Sequence, residues 1–390
     1  MSTKGLKPGG FMHIAVITET GALETRVAAT PETVKKLIAL GGSISIEAGA
    51  GLASGIPDGD YEAVGAVIAK NAKDALKGAE VVLKVRRPSS AEIKLMPKGA
   101  LVLAIMDPYD NAEALTAMAE AGLISFSMEL MPRITRAQVM DVLSSQANLA
   151  GYRAVIDASG EYGRGMPMMM TAAGTVPAAK AFIMGAGVAG LQAIATARRL
   201  GAVVTATDVR PAAKEQVASL GAKFVAVEDE EFKQAETAAG YAKPMSAEYQ
   251  AKQAALVASH IAKQDIVITT ALIPGRPAPK LVSEDMVKSM RPGSVIVDLA
   301  VERGGNVALS KAGETVVTDN GVKILGPLNL PGRIAASASA LYAKNLFSFL
   351  ETMIDKNTKA LHVNWDDELV KATNLTRDGA ITHPGFQPKA

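Results

Sequence analysis

Residues 181–208 read AFIMGAGVAGLQAIATARRLGAVVTATD, and the order of residue types in this stretch decides the fold. A short apolar run ends at Met184, and Gly185, Gly187 and Gly190 follow with GxGxxG spacing. A small-residue helix pattern comes next, then a second strand pattern over 201–207, and then Asp208. Each piece has a physical role in gripping a dinucleotide. Gly185 permits a tight turn out of the strand, Gly187 lets a pyrophosphate approach the backbone, and Gly190 lets the helix pack close to the sheet. The phosphates sit on unpaired N–H groups at the helix start, those of Val188 and Ala189. Asp208 is placed to accept both ribose hydroxyls, with Val209 beside it, and a carboxylate there favours NAD over NADP. Arg210 stands two residues on and is within reach of a phosphate. A bare glycine triplet also occurs in Ala/Gly-rich turns of non-binding sheets; here strand, helix, second strand and acid all fall in order.

The bulk composition narrows the remaining possibilities. A chain of 390 residues is long enough for two domains, each with its own core. Hydrophobic residues make up 48% and charged ones 21%, the balance of a folded protein. A net charge of +2 gives no electrostatic case for nucleic acid as a partner. With no cysteine, disulfides, thiolate nucleophiles and Cys-type metal sites are excluded, and no metal site is expected. The start, MSTKGLKPGGFMHIAVITE, reads as a short tail leading into a first strand and not as a signal peptide. Pro167, Pro177 and Lys180 interrupt the longest weakly polar stretch, so no transmembrane span is expected.

Around the decisive stretch, strand and helix patterns alternate. HIAVITET, SISIEAGAG, AEVVLKVRRP and GALVLAIMD read as strands, and DGDYEAVGAVIAK as a helix. The segment 133–163 after Pro132 reads as one long helix crossing from a first domain into a second. Met168–Met170 reads as interior packing rather than a metal site. Residues 228–247 have weak periodicity and few large apolar residues, the pattern of a mobile surface insertion. DIVITTALI and GSVIVDLAV supply further strands, 331–355 one more helix, and 356–390 a partly ordered arm on the first domain. The expected fold is α/β: two Rossmann-like domains with parallel sheets, separated by a cleft. Residues 1–145 with 331–390 form the first and 146–330 the NAD-binding second.

In a helical 133–163, Gln138, Asp141 and Ser144 or Ser145 lie three or four apart on one face, just after Arg133 and Arg136. Amide, carboxylate, hydroxyl and guanidinium together can hold a carboxamide and a ribose; they can equally form a network between domains. The four histidines, His13, His260, His362 and His383, fall at no strand end facing the cleft, so no proton donor for an alcohol or hydroxy acid presents itself. Lys84 is the best internal cation, either for a substrate carboxylate or paired with a glutamate. A dinucleotide site without acid–base machinery suits hydride passage to another nicotinamide ring, which needs placement and water exclusion but no proton transfer.

SMELMPRITRAQVMDVLSSQANLAGYRAVIDA, MPMMMTAAGTVPAAK, AETAAGYAKPMS, ITTALIPGRPAP and GSVIVDLAVERGGN, with the glycine stretch itself, closely resemble the soluble NAD(H)-binding component of proton-translocating nicotinamide nucleotide transhydrogenase, over about residues 13–385. The resemblance implies hydride passage between NAD(H) here and NADP(H) bound only on a partner, coupled to proton passage. It implies a homodimer working with an NADP(H)-binding beta subunit and membrane-spanning subunits, and a place on the cytoplasmic face of the inner (plasma) membrane. It assigns Arg133, Gln138, Asp141 and Ser144 to the nicotinamide ring and its ribose, with Gln138 orienting the ring. Asp208 falls to the adenosine ribose and Tyr241 to a closing loop, while Gly240, Thr270 and Leu272 flank the coenzyme. Alanine dehydrogenases are the related fold: Arg26 in ETRVAATP and Lys84 match their substrate-binding cations. Their catalytic histidine would fall near Met106 or Asp107, where this chain has none. An amino-acid dehydrogenase and a non-catalytic NAD-binding module are the competing readings.

Overall fold

The computed structural model describes residues 12–235, 245–273 and 275–387. The chain divides into two compact units, Met1–Gln146 with Gly332–Ala390, and Ala147–Pro331.

The sheet of the first unit runs Val67–Ala69, Gly42–Glu47, Met12–Val16, Val81–Arg86, Leu101–Ile105, Ile124–Ser127, and these six strands are parallel. In chain order this is the doubly wound 3-2-1-4-5-6 arrangement. Two antiparallel strands, Asn374–Arg377 and Ala380–Ile381, extend its far edge. Alternation along the strands splits the side chains between two layers. Ile14, Val16, Val81 and Leu83 face one core with Tyr342, Leu346 and Phe349 of the helix Ala335–Glu351. Ala15, Ile17 and Val82 face the other, with Leu115 and Met118.

Two expectations need correction here. DGDYEAVGAVIAK is not one helix: the helix Asp58–Glu62 is followed by the edge strand Val67–Ala69. Gly65, at φ +97°, takes a left-handed conformation that ends the helix before the strand begins. The C-terminal arm is part of the sheet, not an appendage. Its helix Glu368–Thr373 buries Leu369 and Val370, and Trp365 stacks 6.3 Å from Phe126 under the Arg377 guanidinium.

In the second unit the order is Lys223–Phe224, Val203–Thr207, Lys180–Met184, Ile266–Thr269, Val295–Asp298, Lys323–Leu325, Thr315–Val317, with only the last strand antiparallel. The chain order is again 3-2-1-4-5, and its direction reverses between Lys180–Met184 and Ile266–Thr269. In open α/β sheets ligands bind beyond the carboxyl ends of the strands at such a reversal. Ile183, Ile268 and Val297 face one layer; Phe182, Val267 and Ile296 face the other. The methionine run is not interior packing: Met168, Met169 and Met170 are 61, 43 and 78% exposed on a two-stranded hairpin, Met169–Thr171 with Gly174–Val176. Residues 236–244 lie outside the described residues. On their flanks Asp229 caps the short helix Glu230–Lys233, whose buried Phe232 stacks on Tyr249 of the helix Ala247–Ile261.

Candidate functional site

At the reversal in the second sheet, the strand Lys180–Met184 leaves through Gly185, whose φ of +109° excludes other residues without strain. A Cβ at Gly185 would also stand 2.4 Å from Thr270 Oγ1, and one at Gly190 only 1.8 Å from the Gly185 carbonyl oxygen. These two glycines are there for packing. Gly187 differs: its φ is ordinary and nothing lies within 4 Å of its missing Cβ, so the backbone faces open space there. It precedes the helix Val188–Arg199, whose start has no side-chain cap. The first N–H groups of a helix lack intrahelical partners and carry the positive end of its dipole, so this turn is suited to a pyrophosphate. A second close approach lies behind it. Gly151 of the helix Val142–Glu161 packs so near that a Cβ would stand 2.0 Å from the Ala189 carbonyl oxygen.

Asp208 ends the neighbouring strand, and its carboxylate is almost completely engaged. Oδ2 accepts the Ala186 N–H at 2.7 Å, which fixes the carboxylate against the glycine turn. Oδ1 accepts the Arg210 N–H and Nε, both at 2.9 Å, and Arg210 Nη2 reaches Oδ2 at 3.1 Å and the Ala186 carbonyl at 3.2 Å. Arg210, read from the sequence as within reach of a phosphate, therefore lies on Asp208. Val188, Val209 and Leu272 are exposed apolar side chains on segments leaving the same sheet edge.

Thr270 ties the fourth strand to the turn: its N–H donates to the Met184 carbonyl at 2.9 Å and its hydroxyl to the Gly185 carbonyl at 3.2 Å. The segment beyond it is held by a residue that the sequence does not single out. Asn306, fully buried, accepts the Ala271 N–H at 3.0 Å and donates to the Ala271 and Pro279 carbonyls at 2.8 Å. Asp298 supports it from below, accepting the Ala300 and Val307 N–H groups at 3.0 and 3.1 Å. The one available signal is an acid at the end of an apolar strand followed by GGN, too short to interpret alone. Gly240 and Tyr241 lie outside the described residues.

The segment 133–163 is not one helix. A 3-10 helix, Thr135–Met140, ends at Asp141, and the α-helix Val142–Glu161 begins after it. Asp141 makes the break by capping: it accepts the Ser144 N–H at 2.9 Å and the Ser144 hydroxyl at 2.5 Å. Asp141 and Ser144 are thus brought together, while Gln138 sits on the preceding turn and is exposed. Asn345 locks that turn to the helix, accepting from Ser145 Oγ at 2.7 Å and donating to the Val139 carbonyl at 2.8 Å. Arg136 is turned away into a bidentate pair with Asp367.

The two internal cations are paired with glutamates. Lys84 Nζ lies 2.9 Å from Glu92 and 3.3 Å from Glu19, all buried. Arg26 binds both oxygens of Glu24 at 2.7 Å and the Gln146 amide at 2.8 Å. Burial alone would raise the Glu24 carboxyl, but the bonds and charge of Arg26, with Arg86, bring it down to about 2. A depressed carboxyl adds stability above its unfolded value that is lost as pH falls through the folded one. Glu24→Gln is therefore expected to destabilise this unit at pH 7 by about 3 kcal/mol, the size of such a shift. The difference from wild type should shrink between about pH 5 and pH 2, as read by denaturant titration. Burial raises the Glu19 carboxyl instead, which gives the opposite slope; the Glu24 charge adds to that rise, so the opposing slope is smaller in Glu24→Gln than in wild type. The position expected to lack a histidine is backbone-bound: Met106 N–H donates to Glu129 at 3.0 Å. His260 bonds Thr205 at 2.8 Å and His13 bonds Ser45 at 2.8 Å. Among the described residues no His, Cys, Asp and Glu group is placed to hold a metal, and no helix is long and apolar enough to cross a membrane.

The sequence matches the families described as Alanine dehydrogenase/PNT, N-terminal domain, over residues 15–150 and Alanine dehydrogenase/PNT, C-terminal domain, over 154–384. The chain belongs to the alanine dehydrogenase/PNT family. Within that family it is 55% identical over 380 residues to the first of the polypeptides that make up NAD(P) transhydrogenase subunit alpha in Rhodospirillum rubrum, covering 96% of this chain and 99% of that one. The crystal structure of transhydrogenase from Sinorhizobium meliloti superposes with a TM-score of 0.87 at 65% identity, covering 95% and 99% of the two chains. An L-alanine dehydrogenase structure superposes with a TM-score of 0.80 but at 26% identity, covering 96% and 98%. The family's fold is thus shared by both branches, while sequence identity is far higher toward the transhydrogenase subunits.

Proposed function

We propose that this chain holds NAD(H) and passes hydride to and from NADP(H) bound on a partner subunit, the NADP(H)-binding beta subunit of a transhydrogenase. The observation that carries the reading is the second unit's sheet edge, where the Gly185–Gly190 turn and Asp208 are joined by the Ala186–Asp208 hydrogen bond. The nicotinamide, when bound, supplies or accepts the hydride. The N–H groups of Val188 and Ala189 hold the pyrophosphate, and Asp208 accepts from the adenosine ribose. Thr270 and Leu272 flank the coenzyme. Asp141 and Ser144 bind the nicotinamide ribose, with Arg133 beside them, and Gln138 orients the ring.

Coupling to proton translocation follows the family pattern. So do a homodimer, membrane-spanning partner subunits, and attachment at the cytoplasmic face of the inner membrane. The internal pairing of Arg26 and Lys84 favours this over an amino-acid dehydrogenase, since both carboxylate-binding cations already carry carboxylates. The test is reconstitution. The purified chain mixed with its NADP(H)-binding partner should reduce an NAD analogue from NADPH, and neither protein should do so alone. Absence of transfer from a folded pair that binds both coenzymes overturns the proposal, as does turnover of pyruvate, ammonia and NADH by the chain alone.

A further inference from the structure

Gln138 is exposed on the six-residue 3-10 helix Thr135–Met140, so the direction of its side chain is set by what holds that turn. Ala137 and Met140 bury their side chains in the core. Apolar packing of that kind fixes depth but is non-directional, and a polar bond is needed to fix rotation. The last carbonyls of a helix lack intrahelical partners, and the Val139 carbonyl, one residue past Gln138, receives its bond from Asn345 Nδ2 at 2.8 Å. Asn345 is buried on the helix Ala335–Glu351.

The sense of that amide is dictated from the other side. A guanidinium only donates, so Arg26 Nη1 meets Gln146 Oε1, at 2.8 Å. Gln146 Nε2 is thereby turned toward Ser145 Oγ, at 3.3 Å. The Ser145 hydroxyl, having accepted, donates onward to Asn345 Oδ1 at 2.7 Å, which leaves Asn345 Nδ2 for the Val139 carbonyl, a group that only accepts. Every donor and acceptor in the chain from Arg26 to Val139 runs in one direction, and it ends on the turn of Gln138. We infer that Asn345 is a positioning residue for hydride transfer, acting on Gln138 through the Val139 carbonyl. This rests on the proposal that Gln138 orients the nicotinamide ring.

Two variants test it in the full chain: Asn345→Leu, close in size but without the amide, and Ser145→Ala, which keeps Asn345 and removes the hydroxyl that fixes its sense. In the chain alone, hydrogen–deuterium exchange over residues 134–141 is expected to quicken about tenfold in Asn345→Leu. With the NADP(H)-binding partner, single-turnover hydride transfer should slow at least about tenfold in Asn345→Leu and about fivefold in Ser145→Ala, while NADH affinity stays within about twofold of wild type. A merely structural role would multiply its loss into that of any other substitution. A role through Gln138 does not: once Gln138→Asn is present, adding Asn345→Leu should slow transfer by less than about threefold more. The inference is overturned if exchange or transfer in folded Asn345→Leu matches wild type, if the losses multiply in the double variant, or if NADH affinity falls as far as the rate. Should Asn345→Leu not fold, Ser145→Ala, alone and with Gln138→Asn, decides by the same criteria. Absence of transfer from the wild-type pair overturns the reading of Gln138 and this inference with it; quickened exchange in the chain alone would then show that the hold on the turn is real and only the part in transfer has failed.

Discussion

Gly151→Ala is expected to destabilise the second unit by more than about 3 kcal/mol and to weaken NADH binding, although alanine is the better helix former. Gly151 lies within the twenty-residue helix Val142–Glu161, where propensity alone would favour alanine by about 1 kcal/mol. The added methyl, however, would meet backbone: it would stand 2.0 Å from the Ala189 carbonyl oxygen, 2.8 Å from its carbon and 3.0 Å from its Cα. No rotamer relieves such a contact, so one helix has to move. Ala189 sits in the first turn of the helix Val188–Arg199, so the displacement reaches the turn proposed to hold the pyrophosphate. Denaturant unfolding and an NADH titration check both effects. An unchanged or raised midpoint would mean that the helices part without penalty.

Gln138→Asn is expected to slow hydride transfer in the reconstituted pair by about a hundredfold while NADH affinity stays within about threefold. Misplacement of a reacting group by about an ångström is known to have an effect of this size. Asn keeps the amide chemistry and withdraws it by one methylene. The turn that carries it remains locked, because Asn345 holds the Val139 carbonyl independently of the Gln138 side chain. In the proposed site the coenzyme's grip lies on the glycine turn and Asp208, which this substitution leaves alone. Single-turnover rates beside binding constants separate the two quantities, and equal losses in both would assign Gln138 to grip rather than placement.

What can be read from the sequence, and what cannot, follows from which interactions leave a pattern. Sheet alternation at Ile14–Ile17 and the spacing of Gly185, Gly187, Gly190 and Asp208 are periodic or positional signals, and both are legible. Short edge strands are not. Val67–Ala69 and Lys223–Phe224 are too brief for alternation to register. The break at Asp141 escapes because a 3-10 turn and an α-helix share an i, i+3 spacing; only the capping bonds to Ser144 distinguish them. Side chains that bond distant backbone leave no local trace, and so Asn306 and Asn345 do not stand out. Met168–Met170 misleads because hydrophobicity marks what favours burial, not what achieves it.

The first unit is assembled from both ends of the polypeptide, with Tyr342 and Phe349 filling one of its layers and Asn374–Arg377 extending its sheet. On the ribosome this inverts the usual order of maturation. Residues 147–331 are fully synthesised while the unit begun before them still waits for residues 332–390 to close its core. Until they emerge, Val34, Leu37 and Leu83 have no lid from Leu346 and Phe349, so nascent chains stalled late in translation are the species most in need of a chaperone.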